Sequence, residues 1–268
     1  MSRKFVYYGA GKSGGLDPDA EAFLTATGIT DPTITSAIDT LVKDLKSNSL
    51  WSKFRYIYPF VGGTATTNKY NLKDPRDLDV AFRLTFFGGI THTVGFNPNG
   101  TNGYANTFCA AASNVTYNSE HLYITSNTNN TPTSSNPADT GTLNSVNQTS
   151  LLGISTATNS EQFASRMNQA VISVLNANRI GSYCATKNGS TNLRLFKDSL
   201  LVANGTSVGS LPTFYNLIGT LGRSQSGTNT NHFTNQNYTF ATYGDGLSDT
   251  DVANLTSIEQ AFNTTLGR

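Results

Sequence analysis

Three aspartates, Asp245, Asp249 and Asp251, lie close together in the stretch GDGLSDTD. Carboxylates at this density can bind a metal ion, form a catalytic cluster or cap a helix. A calcium loop needs oxygen ligands at alternating positions and a bidentate acid at its end, and these aspartates do not match that template. Ser248 and Asp251 instead have the spacing of a capping box, with Asp in place of the usual Glu. The sequence therefore predicts a helix start here rather than a metal site.

Other residues that could do chemistry also lack a catalytic spacing. No serine lies on a G-x-S-x-G turn. Glycoside hydrolysis needs two facing carboxylates, and the nearest candidate pair, Asp77 and Asp79, follows Arg76, where acids commonly form turns or pair with arginine. The histidines are far apart and in no zinc-binding pattern: His92, His121 and His232. We therefore predict no catalytic residue, no metal site and no cofactor, and expect that the protein is not an enzyme.

Polar and aromatic residues offer a different chemistry, the binding of sugars. The stretch GFNPNGTNGYANT, residues 95–107, places Asn, Thr and Tyr between glycines and is predicted to be a loop. Amides, hydroxyls and flat aromatic faces are the groups that hold a carbohydrate. We predict glycan contacts from four residues of this loop: Asn97, Asn99, Asn102 and Tyr104. Most other aromatic residues, such as Tyr56 and Tyr58, are expected in the core.

The composition excludes several classes of partner. The 268 residues carry a formal net charge of +1, with 13% charged and 37% hydrophobic residues. Lys and Arg form no cluster, so we expect no nucleic acid partner. No apolar run is long enough for a membrane span or a signal peptide, so we expect no membrane insertion and synthesis in a cytoplasm. Cys109 and Cys184 lack a CxxC spacing and are expected to be buried thiols.

Two helices and many short strands are predicted to position these residues. Two Asp-Pro pairs, Asp17-Pro18 and Asp31-Pro32, each predict the start of a helix, because Asp caps a helix start and Pro suits the first turn. From Phe54 onward, short apolar stretches alternate with Gly, Asn and Pro, which is typical of an antiparallel β-sandwich. Lys197-Asp198-Ser199 is predicted to turn a hairpin, and the Asn- and Thr-rich residues 127–147 a long surface loop.

The first fifteen residues differ from the rest. They contain one aromatic patch, Phe5, Val6, Tyr7 and Tyr8, followed by GAGKSGG. This glycine run lacks the spacing of a phosphate-binding loop and is typical of a flexible linker. We therefore divide the chain into an anchoring arm over 1–15, a helical pair over 16–53, and a sandwich closed by a C-terminal helix over 54–268.

Several motifs together resemble a known family. LWSKFRYIYPFVGG, NLKDPRDLD, the hairpin LRLFKDSLLV and GDGLSDTD are similar to a domain of bacteriophage virion structural proteins, often from phages that infect Bacteroidetes. That domain belongs to the concanavalin A-like lectin/glucanase superfamily of jelly rolls, and the resemblance covers about residues 19–268. It implies a mainly β, two-sheet antiparallel sandwich with two N-terminal helices and one C-terminal helix, carried on a phage particle.

The resemblance leaves three functions open. The closely spaced glutamates of glucanases are absent, since the chain has only Glu21, Glu120, Glu161 and Glu259. We therefore expect a virion surface protein, a head fibre, decoration protein or tail-associated adhesin, whose arm docks on capsid or tail proteins and whose sandwich binds host-surface carbohydrate. A glycan depolymerase on the same fold and a purely architectural component are the alternatives. By analogy with phage fibres, and because shared attachment raises avidity, we also expect a homo-oligomer, a trimer.

Overall fold

The computed structural model describes residues 15–116, 118–133, 137–142, 150–154, 162–167, 170–190, 192–206, 218–223 and 232–268. The anchor residues Phe5, Val6, Tyr7 and Tyr8 lie outside these ranges, so the anchoring arm stays a prediction. Within these ranges, no helix combines the length and apolar character needed to cross a lipid bilayer.

The described chain begins with two helices, α1 (Pro18–Thr27) and α2 (Pro32–Ser47). Both start at the predicted caps, where the Asp17 carboxylate accepts from the Asp19 N–H and that of Asp31 from the Ile34 N–H. α1 ends at Gly28, whose φ of 67° falls in the left-handed region that favours glycine. Three further helices are α3 (Ala65–Asn68), α4 (Ala111–Asn114) and α5 (Asp249–Thr265). Two short 3-10 turns cover Trp51–Lys53 and Asp79–Ala81.

The described strands form two large sheets and one short ribbon, and every paired strand is antiparallel. In spatial order, the six-stranded sheet contains β1 (Phe54–Tyr58), β15 (Tyr238–Gly244), β6 (Ser119–Ser126), β11 (Gly181–Asn188), β12 (Asn192–Lys197) and β13 (Leu200–Thr206). The seven-stranded sheet contains β10 (Ala170–Leu175), β9 (Gln162–Met167), β8 (Ser150–Gly153), β7 (Thr140–Thr142), β14 (Ile218–Leu221), β5 (Tyr104–Ala110) and β2 (Thr85–Phe87). The ribbon pairs β3 (Ile90–Thr91) with β4 (Asn97–Pro98).

Two hydrophobic clusters organise these elements into three layers. The first lies between the two sheets and includes buried aromatic side chains from both, namely Tyr58, Phe163, Tyr183 and Tyr238, together with Phe96 from the segment before β4. The second joins α1, α2 and α5 to the outer face of the six-stranded sheet, through side chains such as Leu41, Phe262 and Phe240. The helices therefore cover one side of the sandwich, and the other side presents the outer face of the seven-stranded sheet.

The predicted fold class is confirmed: the protein is mainly β, an antiparallel lectin-like sandwich with two N-terminal helices and one C-terminal helix. The predicted hairpin is also present, because β12 and β13 are joined by Asp198 and Ser199 with φ of 49° and 67°. Cys109 and Cys184 are free and buried, as expected.

The long surface loop predicted over residues 127–147 is wrong in its middle part. Thr140–Thr142 form β7, a strand inside the seven-stranded sheet, and Ala138 and Asp139 are buried beside it. The Asn- and Thr-rich composition led to a wrong prediction because these polar side chains form hydrogen bonds inside the protein rather than with water. The Thr234 hydroxyl, for example, donates to the Asp139 carboxylate at 3.0 Å.

Candidate functional site

Two stacked aromatic rings lie on the outer face of the seven-stranded sheet. Phe87 on β2 is directly opposite Tyr104 on β5, and their ring centres are 4.8 Å apart with planes 12° from parallel. Because side chains alternate along a strand, Thr85 and Asn106, which also face each other, point to the same side. Phe87 keeps 39% of its surface exposed. The pair thus presents a partly exposed aromatic surface flanked by a hydroxyl and an amide.

An arginine and a third aromatic ring complete this surface. The guanidinium carbon of Arg223, just after β14, lies 3.5 Å from the centre of the Tyr104 ring. Phe233 lies 6.2 Å from Tyr104, ring centre to ring centre, and 5.9 Å from the Arg223 guanidinium. We call Phe87, Tyr104, Arg223 and Phe233 the aromatic face. It combines flat apolar rings with one cation, which suits a ligand with both apolar faces and polar groups.

The turn that carries Arg223 is fixed from several directions. The Gly222 N–H donates to the Asp139 carbonyl at 2.9 Å, and the Gly222 carbonyl accepts from the Thr234 N–H at 3.1 Å. The Thr220 hydroxyl donates to the Arg223 carbonyl at 2.6 Å. Gly222 has a φ of 83°, and a Cβ there would lie 3.2 Å from the Phe96 ring. Glycine is therefore favoured at this position, and the backbone of Arg223 is held by these hydrogen bonds.

Three polar atoms on or beside the aromatic face are buried without a hydrogen-bond partner. They are Thr85 Oγ1, Asn106 Oδ1 and Arg223 Nε. Buried polar atoms in folded proteins are almost always paired, either within the chain or with water or a ligand. Because these atoms have essentially no accessible surface, they lie beneath the aromatic face, and the contacts that it offers to a ligand are the exposed rings and the polar groups at its rim.

Of the four residues predicted to contact glycan, Tyr104 belongs to this face and Asn99 and Asn102 lie beside it, but both asparagines also have internal roles. Asn99 Oδ1 accepts from the backbone N–H groups of Thr101, Asn102 and Gly103, each at 3.0 Å. Asn102 Oδ1 accepts from Asn99 Nδ2 and from the Gly89 N–H, both at 2.9 Å. These amides lock together the two turns that flank Phe87 and Tyr104.

Asn97 and Tyr104 do not lie in a loop, as residues 95–107 were predicted to. Asn97 belongs to β4 and its Nδ2 donates to Thr91 Oγ1 at 3.2 Å, whereas Tyr104 begins β5. Short strands separated by glycine and asparagine turns were taken for one loop. Glycan contact by Asn97, Asn99, Asn102 and Tyr104 stays a prediction.

Sequence reasoning missed the other members of the aromatic face. Phe87 stands in the doublet Phe86-Phe87 before two glycines, and strand alternation requires one ring of such a doublet to point away from the core. That pattern could have indicated Phe87. Nothing in the sequence places Arg223 or Phe233 beside Tyr104, because long stretches of chain separate them from it.

The aspartates near α5 form ion pairs with lysine and arginine side chains of the protein. Ser248 and Asp251 form the predicted capping box, in which the Ser248 hydroxyl accepts from the Asp251 N–H and the Asp251 carboxylate from the Ser248 N–H. Lys53 pairs with Asp251 at 2.5 Å. Asp245 and Asp249 pair with arginines, namely Arg55 and Arg194. Across the described ranges, no three His, Cys, Asp or Glu side chains are grouped so that they could hold a metal ion.

The candidate catalytic pair, Asp77 and Asp79, likewise forms ion pairs with basic side chains. Asp77 pairs with Lys69 at 2.5 Å and with Arg83 at 3.4 Å, and Asp79 pairs with Arg83 at 2.9 Å. The hydrogen bond from Lys69 is the largest cause of the lowered pKa of Asp77. These acids therefore act as partners of basic side chains, as the sequence indicated.

Asp139 and Glu259 are among the further carboxylates that are buried. Asp139 accepts from the hydroxyls of Tyr238 and Thr234 and from the Ile154 N–H, and burial raises its pKa to about 6 despite these bonds. Glu259 on α5 accepts from the Ser182 hydroxyl at 2.8 Å, and burial raises its pKa too. Both groups are enclosed by protein atoms, so neither contacts a ligand at the surface.

A separate open groove of about 600 Å³ lies beside the end of α5. It is lined by Asp31, Gly63, Val94 and Arg268, among others. The Arg268 guanidinium is directed inward, where it donates to the carbonyls of Pro59 and Phe60. The groove has polar side chains in its lining, Thr33 and Thr93 among them, but none of its lining residues belongs to an exposed aromatic stack, so the aromatic face is the stronger candidate site for a sugar.

Comparison with known proteins finds likeness in structure only. No family model matches the chain, and no curated protein matches its sequence. Domain 4 of AbnA, a GH43 extracellular arabinanase from Geobacillus stearothermophilus in complex with arabinotriose, is similar with a TM-score of 0.52 and 12% identity, over 76% of this chain and 98% of that domain.

Two larger proteins are also similar. A Trypanosoma rangeli sialidase in complex with a difluoro-KDN compound matches with a TM-score of 0.56 and 11% identity, over 85% of this chain. The binding domain of botulinum neurotoxin DC in complex with rat synaptotagmin II matches with a TM-score of 0.52 and 13% identity, over 80% of this chain. The chain spans 40% of the sialidase and 52% of the toxin binding domain. At these identities the likeness shows the fold alone, a β-sandwich shared with carbohydrate-binding and glycan-active proteins.

Proposed function

We propose that this protein is a carbohydrate-binding component of a phage virion, and that it binds glycans through the aromatic face without cleaving them. The observation that carries the proposal is the partly exposed stack of Phe87 on Tyr104. Sugar rings pack their apolar C–H faces on such rings, while nearby amides and hydroxyls take up the sugar hydroxyls. Asn99 and Asn102, both exposed, carry amide groups in the turns beside the stack.

The similar structures add support from their ligands. The arabinanase domain is in complex with arabinotriose, and the sialidase is in complex with a sugar derivative. The toxin binding domain is in complex with synaptotagmin, a protein. A protein ligand is therefore the second candidate for this surface, and a glycan-binding measurement distinguishes the two.

Binding is favoured over hydrolysis by the side chains of the face. Hydrolysis by the usual route needs two carboxylates flanking the sugar bond. The described side chains of the aromatic face, with Thr85 and Asn106 beside them, are aromatic rings, a hydroxyl, an amide and a guanidinium. Incubation with bound oligosaccharides should leave them intact by mass spectrometry, and release of shorter products would instead favour a depolymerase.

The virion location rests on the resemblance of the sequence motifs and on the predicted arm. In this proposal, residues 1–15 attach the protein to capsid or tail proteins as a head fibre, decoration protein or adhesin, and trimers present three aromatic faces to the host surface. Protein lacking residues 1–15 should fold and bind glycan normally but fail to join particles. Particles that carry the truncated protein at full copy number would contradict the role of the arm.

A glycan array tests the binding proposal. The wild-type protein should bind a subset of glycans, and Phe87→Ala should weaken this binding about fivefold or more, since one lost aromatic contact is worth about 1 kcal/mol or more. Val80→Ala is the matched control, because Val80 is 74% exposed and lies outside the aromatic face. Equal binding by both variants would contradict the proposed site, and an architectural role would then be the better account.

A further inference from the structure

We infer that the aromatic face selects acidic glycans, with Arg223 as the residue that recognises a sugar carboxylate. The inference rests on the proposed glycan binding and adds the chemical class of the ligand. It starts from the charge of the face, because Arg223 is the charged member of the four.

Arg223 differs from most arginines of the described chain in having no acidic partner. Arg55, Arg83 and Arg194 each pair with an aspartate, whereas none of the ion pairs among the described residues includes Arg223. Its guanidinium is also partly withdrawn from water, and burial lowers its pKa as a result. A partly desolvated cation without a counter-ion costs free energy, and an anion from a ligand would remove that cost.

The geometry around Arg223 suits a carboxylate. The guanidinium carbon lies 3.5 Å from the centre of the Tyr104 ring, and because Nε is buried, a ligand would pair with the two terminal nitrogens. A fixed, planar guanidinium can donate two parallel hydrogen bonds to a carboxylate, which a lysine cannot do. The backbone of Arg223 is held by Thr220 and by the neighbouring Gly222. The guanidinium therefore loses little conformational entropy when a ligand binds.

The arginine lies close enough to the stacked rings for one ligand to reach both. Phe87 and Arg223 each contact Tyr104, at 4.8 Å and 3.5 Å from its ring centre. A disaccharide can therefore lay one sugar on Phe87 and direct a carboxylate at Arg223, with the exposed Asn102 side chain near Phe87 available for its hydroxyls.

Pairs of glycans that differ only in charge test the inference. Oligosaccharides of galacturonate, mannuronate, glucuronate and sialic acid are each compared with their carboxyl-reduced forms by isothermal titration on the full chain. At least one acidic form should bind about tenfold or more tightly than its reduced counterpart, the range expected for a charge-assisted bidentate contact. That preference should weaken with added salt.

Variants of the arginine separate its role from folding. Arg223→Gln should abolish the preference for the acidic form, and Arg223→Lys should restore only part of it. Arg76→Gln is the matched control, since the Arg76 side chain is 61% exposed and lies outside the face. If Arg223→Gln keeps the preference, or if wild-type protein binds acidic and reduced forms equally, the inference is overturned while glycan binding stands. If no glycan of either kind binds, the proposed function falls with it.

Discussion

The guanidinium carbon of Arg223 lies 3.5 Å from the centre of the Tyr104 ring, and Tyr104 stacks on Phe87 at 4.8 Å. Tyr104 is thus the support for both neighbours. The candidate site consists of side chains from β2, β5 and the segment after β14, and each depends on the others for its orientation. The following predictions test that dependence and the stability of the fold that maintains it.

Removing the Tyr104 ring should weaken glycan binding more than removing only the Tyr104 hydroxyl. Tyr104→Ala takes away the surface on which Arg223 and Phe87 rest, so glycan affinity should fall about tenfold or more. Tyr104→Phe keeps the ring and should bind within about twofold of wild type. Isothermal titration with the tightest array ligand measures both. Equal losses in the two variants would show that the ring itself does not support the site.

Gly222 should be required for the position of Arg223 as well as for stability. Gly222→Ala places a Cβ 3.2 Å from the Phe96 ring at a φ of 83°, so it should lower the unfolding free energy by about 1–3 kcal/mol and weaken glycan binding. Gly28→Ala is the control, because Gly28 has a similar φ of 67° but nothing within 4 Å. It should cost about 1 kcal/mol and leave binding unchanged. A binding loss in Gly28→Ala would mean that general destabilisation causes the effect.

The start of α5 should respond as a capping box and not as a metal site. Ser248→Ala removes the acceptor for the Asp251 N–H and should lower the unfolding free energy by about 1 kcal/mol. Chemical denaturation measures this, and EDTA should leave the melting temperature of the wild-type protein unchanged. A large fall in melting temperature on chelation would contradict the capping assignment.

Two buried titratable groups, Asp139 and His121, should make stability depend on pH in opposite directions. Burial raises the pKa of Asp139 to about 6, so its contribution is present at low pH and is lost as pH rises from about 4 through 6. Burial lowers the pKa of His121 to about 4, so its contribution is present above about 6.5 and is lost as pH falls toward 4. Each shift corresponds to about 3 kcal/mol, and the two largely cancel in the wild type.

Single substitutions should reveal how each buried group makes the free energy of unfolding depend on pH. Between pH 4 and 6, Asp139→Asn should gain stability relative to wild type as pH rises, and His121→Asn should lose it. Urea denaturation at several pH values gives these differences. Curves for both variants that stay parallel to the wild-type curve would show that neither buried group has a shifted pKa.

Local patterns predicted most of the fold because they depend on neighbouring residues. The caps at Asp17, Asp31 and Ser248 were read from short-range spacing, and each has the expected hydrogen bond. The strand Thr140–Thr142 was missed because Thr and Gly resemble loop residues in sequence. Only the packing of Asp139 against Tyr238 and Thr234 reveals that this segment is internal.

The candidate site was predictable only in part. Tyr104 was chosen from the sequence for its flat ring beside asparagines, whereas Phe87, Arg223 and Phe233 were not. Their association with Tyr104 follows from strand pairing and from the turn at Gly222, which bring distant parts of the chain together. Asn99 and Asn102 were chosen as ligand contacts, and the structure adds that they shape the turns around the face.

A crystal structure of the protein with a bound acidic oligosaccharide tests the central claim most directly. We predict a sugar ring packed on Phe87 and its carboxylate paired with Arg223. An oligosaccharide bound instead in the groove beside Gly63 and Arg268, with the aromatic face empty, would contradict the account.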